Sequence, residues 1–195
     1  MIATIAALVL SAFLAGAASA GPFDTPGAAK ALTCSACHGA AGNSRVDAMP
    51  ILAGMAPAYF TKAIEDYAAG RRPSAEMEPF AKSVRLLGVQ EIAAWFAAQP
   101  RQPSPVRIDR AAAERGRAAA GQCVACHGQD GRGDAAKVIP SLAGQPPGYL
   151  KNQMLLFKAD KRSPGDEPLV KMKALMKSFS DGTLEDLAAY YSSLR

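Results

Sequence analysis

Four cysteines and two histidines carry the chemistry of this 195-residue chain, and all six fall in two copies of one pattern. Cys34-Ser35-Ala36-Cys37-His38-Gly39 recurs as Cys123-Val124-Ala125-Cys126-His127-Gly128, 89 residues later. Two thiols three residues apart on a helical turn point to one side. They can add to the two vinyl groups of one haem and form thioether bonds. The histidine directly after the second thiol then lies beneath the iron and supplies a nitrogen ligand. The pattern therefore predicts two covalently bound haem c groups, one on Cys34 and Cys37, the other on Cys123 and Cys126, with His38 and His127 on the irons. A thioredoxin-like thiol pair expects a βαβ context that is missing here. A zinc site pooled from the four cysteines would leave the two identically placed histidines without a task.

Each iron needs a sixth ligand or an open face. Both histidines are used, so bis-histidine ligation is impossible within one chain, and no cysteine is spare. Methionine remains, and a methionine ligand raises the reduction potential. In the first half the choices are Met49, Met55 and Met77; in the second they are Met154, Met172 and Met176. Met49 and Met55 flank the loop expected on the proximal side, and Met154 lies on an expected core helix. Met77 precedes Trp95 by 18 residues and Met172 precedes Tyr190 by the same 18, whereas Met176 has no counterpart. That register selects Met77 and Met172, with Met77 in a loop before the last helix of its half.

The elements that must position these groups also repeat. Pro50-Ile51-Leu52-Ala53-Gly54 matches Pro140-Ser141-Leu142-Ala143-Gly144, Tyr59 matches Tyr149 and Arg72 matches Arg162, all at an offset of 90. The order never breaks, so the chain is a duplication. Abundant alanine and few aromatics favour short, closely packed helices over a β-sandwich. The expected fold is all-α: two tandem domains, 21–98 and 110–195, joined by a Pro-rich linker at 99–109 that holds Pro100, Pro103 and Pro105. Helices are expected at Gly27–Ala36 and Asp109–Ala125, after Pro57 and after Pro147, and at Gly88–Ala98 and Thr183–Leu194, with glycine- and proline-rich loops between them. Pro50 and Pro140 could offer carbonyls to the second ring nitrogen of each histidine, or be ordinary turn prolines. Arg72, Arg162, Tyr59 and Tyr149 could bond haem propionates, or be surface charge and core aromatics. Trp95 and Tyr190 are expected to pack.

Residues 1–20 have no charged side chain, an apolar run from Ile5 to Leu14 and Ala18-Ser19-Ala20 at their end. They read as a cleaved signal peptide with a mature start near Gly21 and a periplasmic destination. An uncleaved anchor is the alternative, and the small residues from Ala15 to Ala20 argue against it; peripheral membrane association stays open. Charge is uneven: residues 21–100 carry seven basic and seven acidic side chains, residues 101–195 fifteen and ten. Lys158, Lys161, Arg162, Lys171, Lys173 and Lys177 gather near the expected distal side of the second haem, where a positive rim could steer an acidic redox partner. Nothing pairs basic residues with aromatics in the manner of a nucleic-acid surface, so nucleic acid is excluded as a partner.

The two Cys-x-x-Cys-His-Gly motifs, the two Pro-x-Leu-Ala-Gly motifs, the tyrosine after each and the late methionine before a final helix resemble class I cytochromes c. Their tandem arrangement is similar to the diheme cytochrome c4 family, over nearly all of Gly21 to Arg195. The resemblance implies His38 and His127 as proximal ligands, Met77 and Met172 as distal ligands, and haem edges facing each other across the domain interface. It implies an electron-transfer protein rather than an enzyme, a periplasmic carrier feeding a terminal oxidase. The diheme subunit of flavin-dependent sulfide dehydrogenase has a similar layout, so a flavoprotein dehydrogenase partner is the alternative. Diheme peroxidases need one more histidine ligand than this chain has.

Overall fold

The computed structural model describes residues 24–195. The expected signal peptide lies outside the described residues. Those described form helices and turns, with one isolated bridge between Asp134 and Ile139.

Each half builds four main helices in the same order. In the first, α1 spans Pro26–His38, α2 Pro57–Ala68, α3 Met77–Leu87 and α4 Val89–Ala97. In the second, α5 (Arg110–Ala119) and α6 (Val124–His127) share the role of α1, followed by α7 (Pro147–Lys158), α8 (Val170–Ser178) and α9 (Asp181–Ser193). Proline opens α1, α2 and α7, where its missing N–H would have had no helical partner. Asp109 caps α5, accepting bonds from the amides of Ala111 and Ala112, and Ser180 caps α9 through the Thr183 amide.

Two expectations need correction. Met77 does not lie in a loop: it is the first residue of α3, and Met172 is the third of α8. Proline and glycine nearby suggested loops, but Pro79 falls in the first turn of α3 and Pro168 in the short 3-10 turn before α8, positions that need no amide donor. The helix entering the second motif is also not continuous from Asp109 to Ala125. It tightens to a 3-10 turn at Ala120–Gln122, around Gly121, before α6 resumes.

Each half has its own apolar centre. Phe60, Ile64, Val84, Ile92 and Phe96 anchor the first; Leu150, Phe157, Leu184, Leu187 and Tyr191 anchor the second. Trp95 packs edge-on against Phe96 and Tyr190 against Tyr191. The first helix of each half crosses the last at a glycine. A β-carbon on Gly27 would lie 2.1 Å from the Glu91 carbonyl oxygen, and one on Gly116 would lie 2.0 Å from that of Asp186. Only glycine lets these backbones meet.

Between the halves, residues 101–109 form no helix and touch both, with the Gln102 amide 2.8 Å from Asn43 Oδ1 of the first half, the Ser104 amide 2.8 Å from the Gly144 carbonyl and Arg101 donating to that of Ala143. The Gln145 side chain, 3% exposed, reaches across to bond both the amide (2.8 Å) and the carbonyl (2.9 Å) of Ile51. Asp47 of the first half bonds the Gly148 amide through its carboxylate (2.7 Å) and the Tyr149 amide through its carbonyl (2.9 Å), so the N-terminus of α7 is capped from across the interface.

Candidate functional site

The last turn of α1 sets Cys34, Cys37 and His38 together, and Gly39, at φ 77°, turns the chain sharply away. His38 is 5% exposed, and its Nδ1 stands 2.8 Å from the Pro50 carbonyl oxygen. A carbonyl only accepts, so Nδ1 carries the hydrogen and Nε2 keeps a free lone pair, as a metal ligand requires. The second site repeats this: α6 ends on His127, whose Nδ1 lies 3.0 Å from the Pro140 carbonyl. Of the two readings open for the prolines, the structure selects the orienting one. Burial holds both imidazoles below their ordinary pKa, with the proline bond partly offsetting it, so both rings favour the neutral form that can coordinate.

His38, Cys34 and Cys37 line an apolar cavity that Met77 and Met55 also line, with Tyr67, Phe80 and Arg72 around it and Tyr149 from the second half. Met77, at the start of α3, and His38 thus line the same space. Met55, set aside on sequence, lines the same space; Met49 is not among the lining residues. On α8, Met172 is half-buried against the second centre and Met176 is 3% exposed within it. The matched positions on α3 behave alike: Met77 is half-buried, and Ala81, four residues on, is fully buried. Met176 therefore occupies the core position of Ala81, and Met172 that of Met77. Met154 packs against the second centre.

Arg72 and Arg162 are not surface charges. They are 2% and 8% exposed and meet at the interface. Arg72 donates from Nη2 to the Tyr149 hydroxyl (2.8 Å) and from Nε to Gln153 Oε1 (2.9 Å). Arg162 donates from Nη2 to the Tyr59 hydroxyl (2.9 Å) and from Nη1 to the same Gln153 oxygen (2.8 Å). Burial opposes ionisation of Tyr59, but the charges of Arg162 and Arg72 outweigh it and bring its pKa down to about 7. In Tyr149 burial wins, and its pKa rises to about 12. Arg162 Nε is buried with no partner. Gln153 was not anticipated: its match in the first half is Ala63, so comparing the halves gave it no signal.

The residues present fit haem at both sites. The thiols remain in separate pairs, and among the described residues no three His, Cys, Asp or Glu side chains gather as a metal cluster. Each histidine offers an oriented, neutral nitrogen, and two buried cations with an orphaned donor suit propionate carboxylates. Of the basic rim expected at the second site, Lys158 is bound to Asp181 (2.6 Å) and Lys173 is buried against Asp160 (2.7 Å). Lys161, Lys171 and Lys177 remain exposed.

Comparison with known proteins agrees with this geometry. A family profile for Cytochrome c matches residues 113–195. Cytochrome c4 of Pseudomonas aeruginosa is 30% identical over 97% of this chain and 98% of its own length. A thiosulfate dehydrogenase electron acceptor of Stutzerimonas stutzeri is 32% identical over 99% of this chain and 94% of its own length. The crystal structure of reduced cytochrome c4 from Pseudomonas stutzeri superposes with a TM-score of 0.74 at 27% identity, covering 86% of this chain and 96% of that one. The chain belongs to the cytochrome c4 family, and is an electron-transfer protein that holds covalently bound haem c.

Proposed function

We propose that this protein carries single electrons between periplasmic redox partners through two haem sites. Haem bound at each motif supplies a one-electron iron couple. Cys34 and Cys37 anchor the first group and Cys123 and Cys126 the second; His38 and His127 hold the proximal positions and Met77 and Met172 the distal ones. Pro50 and Pro140 fix the imidazoles by accepting their Nδ1 hydrogens. Apolar side chains around each site exclude water, and Arg72 and Arg162 offset propionate charge. With a histidine and a methionine to hold each iron, the residues present would leave no open site for substrate and would favour electron exchange over catalysis. Domains at 21–98 and 110–195, linked by 99–109, each carry one site.

The observation that carries this reading is the pair of buried histidines, each directly after a Cys-x-x-Cys pair and each bonded through Nδ1 to a proline carbonyl. Mass spectrometry of the denatured mature protein tests it, since thioether bonds survive unfolding. The expected mass is the chain from near Gly21 plus two haems. A mass with one haem or none would sink the reading, and a retained leader would sink the cleaved, periplasmic form of it.

For the partner, exposed Lys161, Lys171 and Lys177 beside the second site favour an acidic redox protein, such as a terminal oxidase receiving electrons there. The thiosulfate dehydrogenase electron acceptor among the relatives supports a second reading, in which the chain takes electrons from a dehydrogenase of sulfur compounds. Co-purification with a dehydrogenase, against turnover with an oxidase, separates the two.

A further inference from the structure

We infer that Gln153, on the second half of the chain, tunes the first haem by holding Arg72 from across the interface. The inference rests on the haem reading above and adds a positioning residue to it.

One amide oxygen accepts from both buried arginines, one from each half: Arg72 Nε at 2.9 Å and Arg162 Nη1 at 2.8 Å. An amide nitrogen cannot accept from a guanidinium, so the side chain's orientation is forced. The two guanidinium groups repel, and a neutral acceptor is what holds them to one point.

The arrangement is lopsided. Arg162 is held by Gln153 of its own half and by Tyr59 of the other. The side-chain hydrogen bonds of Arg72 go to Gln153 and Tyr149, both from the second half, while its guanidinium stacks 4.5 Å from the Tyr67 ring of its own half. The first half offers no glutamine of its own, because the position matching Gln153 is Ala63. Yet Arg72 lines the first cavity, together with His38 and Met77. A cation fixed beside a redox centre favours its reduced form. The in-plane hydrogen bonds that aim this cation therefore come from α7 of the second half, with Gln153 the acceptor of its Nε.

The test is a redox titration of the holoprotein with Gln153→Leu, which keeps bulk and removes the acceptor. The two waves are assigned with Met77→Ala and Met172→Ala proteins. Released from Gln153 and pushed by Arg162, Arg72 moves away from the first site. The expected result is a shift of the first haem's reduction equilibrium toward the oxidised form by about tenfold, roughly 59 mV for one electron, with a smaller shift at the second. A purely structural role would move the unfolding midpoint and leave the waves alone. If Gln153→Leu does not fold, Gln153→Met, unbranched and without the amide oxygen, decides: the first wave falls further than the second. Two haems with an unmoved first wave, or a second wave that moves more, overturns the inference alone. A wild-type protein without two haems overturns the haem reading and the inference with it.

Discussion

A methionine in a helical protein is usually core filler, and α8 carries two methionines one turn apart. Met176 is buried where α3 has Ala81, and Met172 is half-buried where α3 has Met77. Met172→Ala should leave the second haem attached, because Cys123, Cys126 and His127 are untouched. It should remove the sulfur ligand and lower that haem's potential. Met77→Ala should do the same at the first site only. Met176→Ala should leave the potentials nearly unchanged and cost about 2–5 kcal/mol of stability, as truncation of a buried side chain does. Redox titration with spectra, alongside denaturant unfolding, checks all three. A second-haem potential that answers to Met176 and not to Met172 would show the register to be wrong. Met55, inside the first cavity, would then be the next methionine to exchange.

The helices matter through where they touch. α1 meets α4 at Gly27, and α5 meets α9 at Gly116, with no room for a β-carbon in either crossing. Gly116→Ala should force α5 and α9 apart. Helix propensity favours alanine by only about 1 kcal/mol, and overpacking costs about 1–3 kcal/mol or more, so the net effect is loss of stability in the second half. Gly27→Ala should do the same in the first. Thermal unfolding followed at each haem's absorbance reads this, and a variant as stable as the parent would show that the crossing relaxes freely. Elements with apolar residues on one helical face, such as α9 with Leu184, Leu187, Ala188 and Tyr191, were legible in the sequence. α3 and α8 were not, because Pro79 and Pro168 look like breakers unless their place in the first turn is known.

For the whole molecule, buried polar contacts join the two halves. Gln145 satisfies both backbone groups of Ile51, and the matching residue in the first half, Met55, could not do this. Gln145→Leu should strand a buried amide and carbonyl at about 1–3 kcal/mol each. The expected outcome is that one cooperative unfolding transition separates into two. A single transition of unchanged midpoint would place the coupling elsewhere. Charge is also divided between the halves: at the positions matching Lys171 and Lys173 the first half has Glu76 and Glu78. Lys171→Glu with Lys177→Glu should slow electron transfer to an acidic partner by about tenfold or more at low ionic strength and flatten its salt dependence, with both potentials little changed. Stopped-flow mixing at several salt concentrations measures it.

The sequence by itself determined the cofactor chemistry and the duplication. Thioether attachment needs only local spacing, a repeat is a one-dimensional property, and two histidines can be counted. It also placed Pro50, Pro140, Arg72, Arg162, Tyr59 and Tyr149 as positions worth watching, without deciding what they do. Tertiary structure decided that. Whether an arginine is solvated or buried depends on what the other half of the chain brings against it, and no periodicity within one half reports this. The same holds for Gln153, whose role exists only because Arg72 and Arg162 converge on one oxygen from opposite sides of an interface.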